Sequence, residues 1–182
     1  EEYRRYLETR ASEWERPAMV TARPVAGNAR LGRETAEFLD RFVRSGRFSG
    51  DELDRIMDIR NRAVDQSRKR HPGLVNVKSG PGGLSDIDFI ARTFSAHYGA
   101  KRSGGLCRET GGILAALASE RLIDRGDARS LIEAYRFLSD AEFAVRIGTG
   151  RPVNTIPPEG VEAGRISRLL GSANASRLVK KV

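Results

Sequence analysis

One cysteine, Cys107, and two histidines, His71 and His97, are all that 182 residues offer to soft-metal chemistry. A single thiol excludes a disulfide framework and any cysteine-rich zinc site, and two isolated imidazoles leave little for a histidine-based metal centre. No stretch approaches the roughly 20 apolar residues that a bilayer-crossing helix needs. Aromatics make up 7% of the chain and nowhere interleave with basic residues in the way that stacks single-stranded bases. The opening Glu1-Glu2-Tyr3-Arg4-Arg5 has no apolar run behind it, so no secretory signal is expected. An initiating Met is lacking too, as in a piece of a longer chain. The expected compartment is the cytoplasm.

Blocks of like charge are also missing. The 32 basic residues, 27 of them Arg and 5 Lys, exceed 24 acidic ones for a net charge of +8. They are mixed with acids, as in Glu13-Trp14-Glu15-Arg16 and Asp51-Glu52-Leu53-Asp54-Arg55. That dispersal reads as solvated helix faces, not as a nucleic-acid stripe. The 39% hydrophobic content is enough for a real core.

What is present is helical spacing. Tyr3, Tyr6, Leu7, Trp14, Ala18 and Ala22 predict one long helix, kinked or broken near Pro17. Leu31, Thr35, Phe38, Leu39, Phe42 and Val43 predict a second, closed by Ser45-Gly46. Ser49 with Glu52 three residues on reads as a capping box, opening a third helix that ends before His71-Pro72-Gly73. Further helices are predicted from Leu84 to Tyr98, from about Arg108 to Glu120, and from Gly126-Asp127 through Val145. A last short pair is expected over Val161–Leu170 and Asn174–Val182. Leu74 to Gly83 breaks the pattern, running from a short alternating segment into a glycine cluster. The fold class is therefore all-α, a helical bundle with a glycine-rich loop or small hairpin near 74–83. Residues 1–158 are expected to form the domain, and 159–182 its C-terminal helical extension.

Three segments are candidates for chemistry. In Lys78-Ser79-Gly80-Pro81-Gly82-Gly83, the bare glycines Gly80, Gly82 and Gly83 would let backbone N–H groups approach an anion. A helix starting near Ser85 would aim its positive end at the same point, with Lys78 adding a charge. The order differs from a Walker loop, whose Lys follows the last Gly, so a phosphate seat and a plain connector both stay open. In the next segment, Asp86-Ile87-Asp88 could suggest the paired metal-binding carboxylates of polymerase-β-type nucleotidyltransferases. The apolar residues that follow recur every three or four, however, which makes the segment helical. Positions i and i+2 then project about 200° apart and cannot share a metal. Ser85, Asp86 and Asp88 are read as helix-capping or first-turn residues, with a supporting or interface role open for Asp86. No residue is assigned to catalysis or to a metal. Third, Arg16 and Arg23 are seven apart and on an unbroken helix could grip a phosphate together. The plainer expectation is that Arg16 pairs with Glu13 or Glu15.

Taken in order, Trp14-Glu15-Arg16-Pro17-Ala18, Ala22-Arg23-Pro24-Val25-Ala26-Gly27, Val77 to Phe89, and Ala134-Tyr135-Arg136-Phe137-Leu138 with Glu142 resemble the bifunctional glutamine synthetase adenylyltransferase/adenylyl-removing enzymes. The resemblance covers about Glu1 to Pro157, and no matching words are evident beyond Pro158. Asn28, Asn76, Ser85 and Asp88 depart from the family's usual residues. In that family a nucleotidyltransferase domain precedes a helical one. The resemblance thus implies a helical partner domain, with Mg²⁺ and ATP serving the parent enzyme and no cofactor bound by this fragment. It implies as partners an upstream nucleotidyltransferase domain, glutamine synthetase and a PII-type regulator; from the apolar runs and charge dispersal, neither membrane nor nucleic acid is expected as a partner. The fragment alone is expected to be inactive. The alternative is a non-catalytic module that docks glutamine synthetase or a PII-type regulator.

Overall fold

In a computed structural model, residues 1–101 and 107–171 are described. Among them are eight α-helices: α1 (Glu2–Thr9), α2 (Glu15–Met19), α3 (Ala29–Val43), α4 (Gly50–Arg70), α5 (Leu84–His97), α6 (Thr110–Ser119), α7 (Arg125–Thr149) and α8 (Val161–Leu169). A 3-10 turn spans Gly99–Lys101, and the two-residue strands β1 (Val75–Asn76) and β2 (Thr155–Ile156) complete the set. The all-α expectation holds. The predicted helix over Asn174–Val182 lies outside the described residues.

The expected long first helix is instead two. The break falls between Thr9 and Glu15, upstream of Pro17, which sits in the first turn of α2. A proline is tolerated there because first-turn N–H groups have no intrahelical acceptor. The capping box forms as read: Ser49 N–H donates to Glu52 Oε2 at 2.6 Å, and Glu52 N–H to Ser49 Oγ at 3.3 Å. Asn28 caps α3, its Oδ1 accepting from the N–H groups of Arg30 and Leu31. Asp124 does the same for α7 by accepting from Gly126 and Asp127, a signal the spacing did not expose. Leu31 and Thr35, placed in the buried stripe of α3, are exposed. That stripe begins only at Phe38, one turn of helix further in.

Two compact units divide the chain. The first contains Glu1–Ile59 and Phe89–Arg129, and the second Arg60–Asp88 with the chain from Ser130 onward. In the first unit, Leu7, Phe38 and Leu39 form a buried cluster, covered by Ala11, Met19, Ala22 and Phe42. In the second unit, Val77, Leu84, Ile87, Leu138, Val145, Ile156 and Ile166 are buried. The segment 74–83 forms no hairpin of its own. β1 pairs antiparallel with the distant β2, Val75 opposite Ile156 and Asn76 opposite Thr155. The reason is that Val77 and Ile156 both need burial, which a solvent-exposed local hairpin would not give them.

Candidate functional site

The glycine loop belongs to the second unit, and its backbone donors are spent internally. Val77 N–H donates to Asn154 O, while Lys78 and Ser79 N–H share the side-chain oxygen of Asn76. Gly80 N–H goes to Asn76 O, Gly83 N–H to Gly80 O, Leu84 N–H to Val77 O, Ser85 N–H to Lys78 O and Asp86 N–H to Gly83 O. Gly82 N–H, the remaining donor beside the N–H-less Pro81, is taken by Asp86 Oδ2 at 2.8 Å. A phosphate cradle needs several unspent N–H groups converging outward. Here each one has an acceptor within the loop or its neighbours, an arrangement that supports the connector reading of the glycines.

Packing explains why these positions are glycine. A Cβ on Gly80 would lie 2.5 Å from Asn76 O, and one on Gly83 would lie 2.7 Å from Lys78 O and 2.9 Å from Val77 O. Gly82 adopts φ +71°, the left-handed region that other residues enter at a cost.

The helical reading of Asp86 and Asp88 holds, with α5 starting one residue before Ser85. Ser85 is exposed in the first turn. Asp86 is buried and reaches back, in the manner of the acidic arm of a capping box, to Gly82. It also receives a bidentate guanidinium from Arg60 of α4: Nε to Oδ1 at 2.9 Å, and Nη2 to Oδ2. That hydrogen bond is the main cause raising the Arg60 pKa above its ordinary value. The sequence reading assigns Arg60 no role at a site. Asp88 is partly buried, and two residues further along a helix it stands about 200° round the axis from Asp86. Among the described residues no group of three or more metal-capable side chains is gathered. Asp86, with its oxygens already held by Arg60 and Gly82, does not fit a Mg²⁺ ligand.

The Lys78 side chain is not consumed by the loop. It is 48% exposed, and its ammonium lies 3.5 Å from Glu142 Oε1 on α7. Arg146, one helical turn on and 46% exposed, donates Nη2 to the same oxygen at 2.8 Å. The same Nη2 also donates to Asn154 Oδ1 at 3.2 Å. Two cations thus converge on one oxyanion position. The β1–β2 ribbon brings Asn154 to the cluster, and the doubly bonded backbone of Lys78 fixes its base. Arg146 and Asn154 carried no sequence signal, because they lie far along the chain from Lys78 and meet it only in the fold, Arg146 on α7 and Asn154 beside β2.

Arg16 and Arg23 are not brought together. α2 ends at Met19, and Arg23 lies exposed beyond it. Nor does Arg16 pair with its acidic neighbours. Glu13 binds Arg55 at 2.7 Å, and the buried Glu15 accepts from Tyr6 Oη at 2.8 Å and Ser12 N–H at 3.0 Å. Arg16 stacks on Phe48, 3.8 Å from the ring centroid, and donates Nη1 to Ser45 Oγ. Burial lowers its pKa.

Residues 55–181 fit the family model described as GlnD PII-uridylyltransferase, and the chain belongs to that family. The match continues past Pro158, where the sequence words gave none. Among curated proteins the chain is similar to bifunctional glutamine synthetase adenylyltransferase/adenylyl-removing enzymes, as the resemblance implied. It is 31% identical to that of Rhizobium meliloti (91% of this chain, 17% of that protein) and 30% to that of Xanthomonas campestris (96% and 19%). It is also 30% identical to that of Streptomyces coelicolor (91% and 16%). The chain therefore spans under a fifth of the length of these relatives.

Proposed function

We propose that this chain is the helical partner domain of a parent nucleotidyltransferase that adenylylates and deadenylylates glutamine synthetase. In this reading the Lys78–Arg146 cluster faces the nucleotide or phosphate used by the parent. The observation that carries it is the convergence of two half-exposed cations within reach of one oxygen, on a backbone that is otherwise fully bonded. Fixed cations stabilise phosphoryl oxygens without reorganising. An upstream nucleotidyltransferase domain supplies the transfer chemistry and its Mg²⁺; among the described residues no group of three or more metal-capable side chains is gathered. Gly80, Gly82 and Gly83 act by shaping the loop that positions Lys78, and Arg16 acts by holding Phe48. The proposed compartment is the cytoplasm; no helix among the described residues is long and apolar enough to cross a membrane.

Lys78→Ala in the full-length enzyme is expected to raise the KM for ATP or phosphate with a smaller effect on kcat, and unchanged kinetics would remove the cluster from the site. The 182 residues incubated with ATP, Mg²⁺ and glutamine synthetase should transfer no adenylate, and transfer would overturn the partner-domain reading.

A docking module is the second reading. Phe143 and Ile147, one turn apart on α7, are 66% and 57% exposed, a combination suited to a protein partner. The PII in the family's description supports a PII-type regulator as that partner, beside glutamine synthetase. Capture of either by the isolated chain, lost in Phe143→Ser, would favour it.

A further inference from the structure

Resting on the reading of Lys78 and Arg146 as phosphoryl ligands, we propose that Glu142 is a resident counter-anion, occupying the oxyanion position and setting how tightly an external phosphoryl group binds. Lys78 Nζ and Arg146 Nη2 address the same carboxylate oxygen, Oε1, at 3.5 and 2.8 Å. That oxygen marks where two cations already converge. The Glu142 side chain is 19% exposed, less than half the value of either cation, so the carboxylate is the most buried member of the cluster and both cations stay open to solvent. Lys78 keeps two further N–H groups, and Arg146 keeps Nε and Nη1.

The charge balance gives the ligand class. With Glu142 in place the Lys78–Glu142–Arg146 cluster carries one net positive charge, and without it two. A phosphate, pyrophosphate or nucleotide tail must therefore either displace the carboxylate or approach it against like-charge repulsion at short range. Displacement is mechanically open. Both cations keep an anchor that does not depend on Glu142: the Lys78 backbone is bonded to the Asn76 side chain and the Ser85 N–H, and Arg146 Nη2 also donates to Asn154 Oδ1. Turning the carboxylate aside therefore leaves both cations in place. A resident carboxylate of this kind keeps the cations aligned when no ligand is present and weakens binding of stray monovalent anions more than that of a multidentate polyphosphate.

The test is titration of the 182-residue chain with inorganic phosphate, pyrophosphate and ATP separately, followed by calorimetry and by amide shifts of 76–86. Glu142→Gln should tighten binding about three- to tenfold, the range for one partly screened charge. Glu142→Asp, which keeps the charge, should stay near wild type. Lys78→Ala should abolish the gain when combined with Glu142→Gln. The ranking among the three ligands separates a free-phosphate site from a nucleotide site. Binding by wild type that is unchanged or weakened in a folded Glu142→Gln overturns the counter-anion role while leaving Lys78 as a ligand. No binding by wild type or any variant overturns both.

Discussion

Removing the Asp86 carboxylate would orphan three donors at once: Arg60 Nε, Arg60 Nη2 and Gly82 N–H. With the Arg60 side chain still 28% exposed, Asp86→Ala should cost about 2–4 kcal/mol, somewhat below a fully buried pair. Urea unfolding measures it, and a loss under 1 kcal/mol, about the ceiling for an exposed ion pair, would show that solvent already serves Arg60. His97 gives a pH dependence in the first unit. Its Nδ1 faces Phe48 N–H at 3.2 Å and its Nε2 faces Arg47 Nε at 3.3 Å, with the ring stacked on Phe48 and edge-on to Tyr98. Burial first, then the charges of Arg47, Arg16 and Lys101, hold its pKa below the ordinary 6.5. The unfolded chain therefore takes up the proton first. The His97 contribution is complete above the unfolded pKa and is lost as pH falls through the folded one. Wild type should lose more stability than His97→Asn between about pH 7 and about pH 5, since Asn offers Phe48 an acceptor that does not titrate; parallel profiles would exclude His97 as the cause.

At the scale of the element, two glycines should answer oppositely to alanine. Gly83→Ala drives a methyl into three backbone carbonyls, those of Lys78, Val77 and Gly80, none able to swing away. It should destabilise by about 2–3 kcal/mol and displace Lys78. Gly164 lies inside α8 with nothing within 4 Å of an added Cβ, so Gly164→Ala should stabilise by about 0.5–1 kcal/mol. Paired thermal melts decide both signs. The capping box at α4 was legible because its two arms lie three residues apart in one segment, and Ser49→Ala should cost about 1 kcal/mol there. A break near Pro17 was legible, but its place between Thr9 and Glu15 was not. Spacing of apolar residues continues through it by coincidence, and Trp14, placed in that stripe, is 47% exposed.

For the whole molecule, each compact unit is assembled from two separate stretches of chain. Neither a fragment ending at Asp88 nor one starting at Phe89 contains a complete unit. Each alone should lack cooperative unfolding by circular dichroism, because β1 would be left without β2, and Lys78 without Glu142. A sharp transition in either fragment would show that its stretch folds without the other.

The sequence by itself determined the all-α class, the capping box, the helical character of Asp86 and Asp88 and the family, since each depends on residues close in the chain or on words in a fixed order. Only the tertiary structure decided where the donors of the glycine loop go. Its N–H groups were open to a ligand on paper and are consumed once Asn76, Asn154 and Asp86 fold in. The cation pair likewise exists only where α7 and the ribbon meet the loop, because hydrogen bonds and charges act through space, and periodicity reports only which side of a helix is wet.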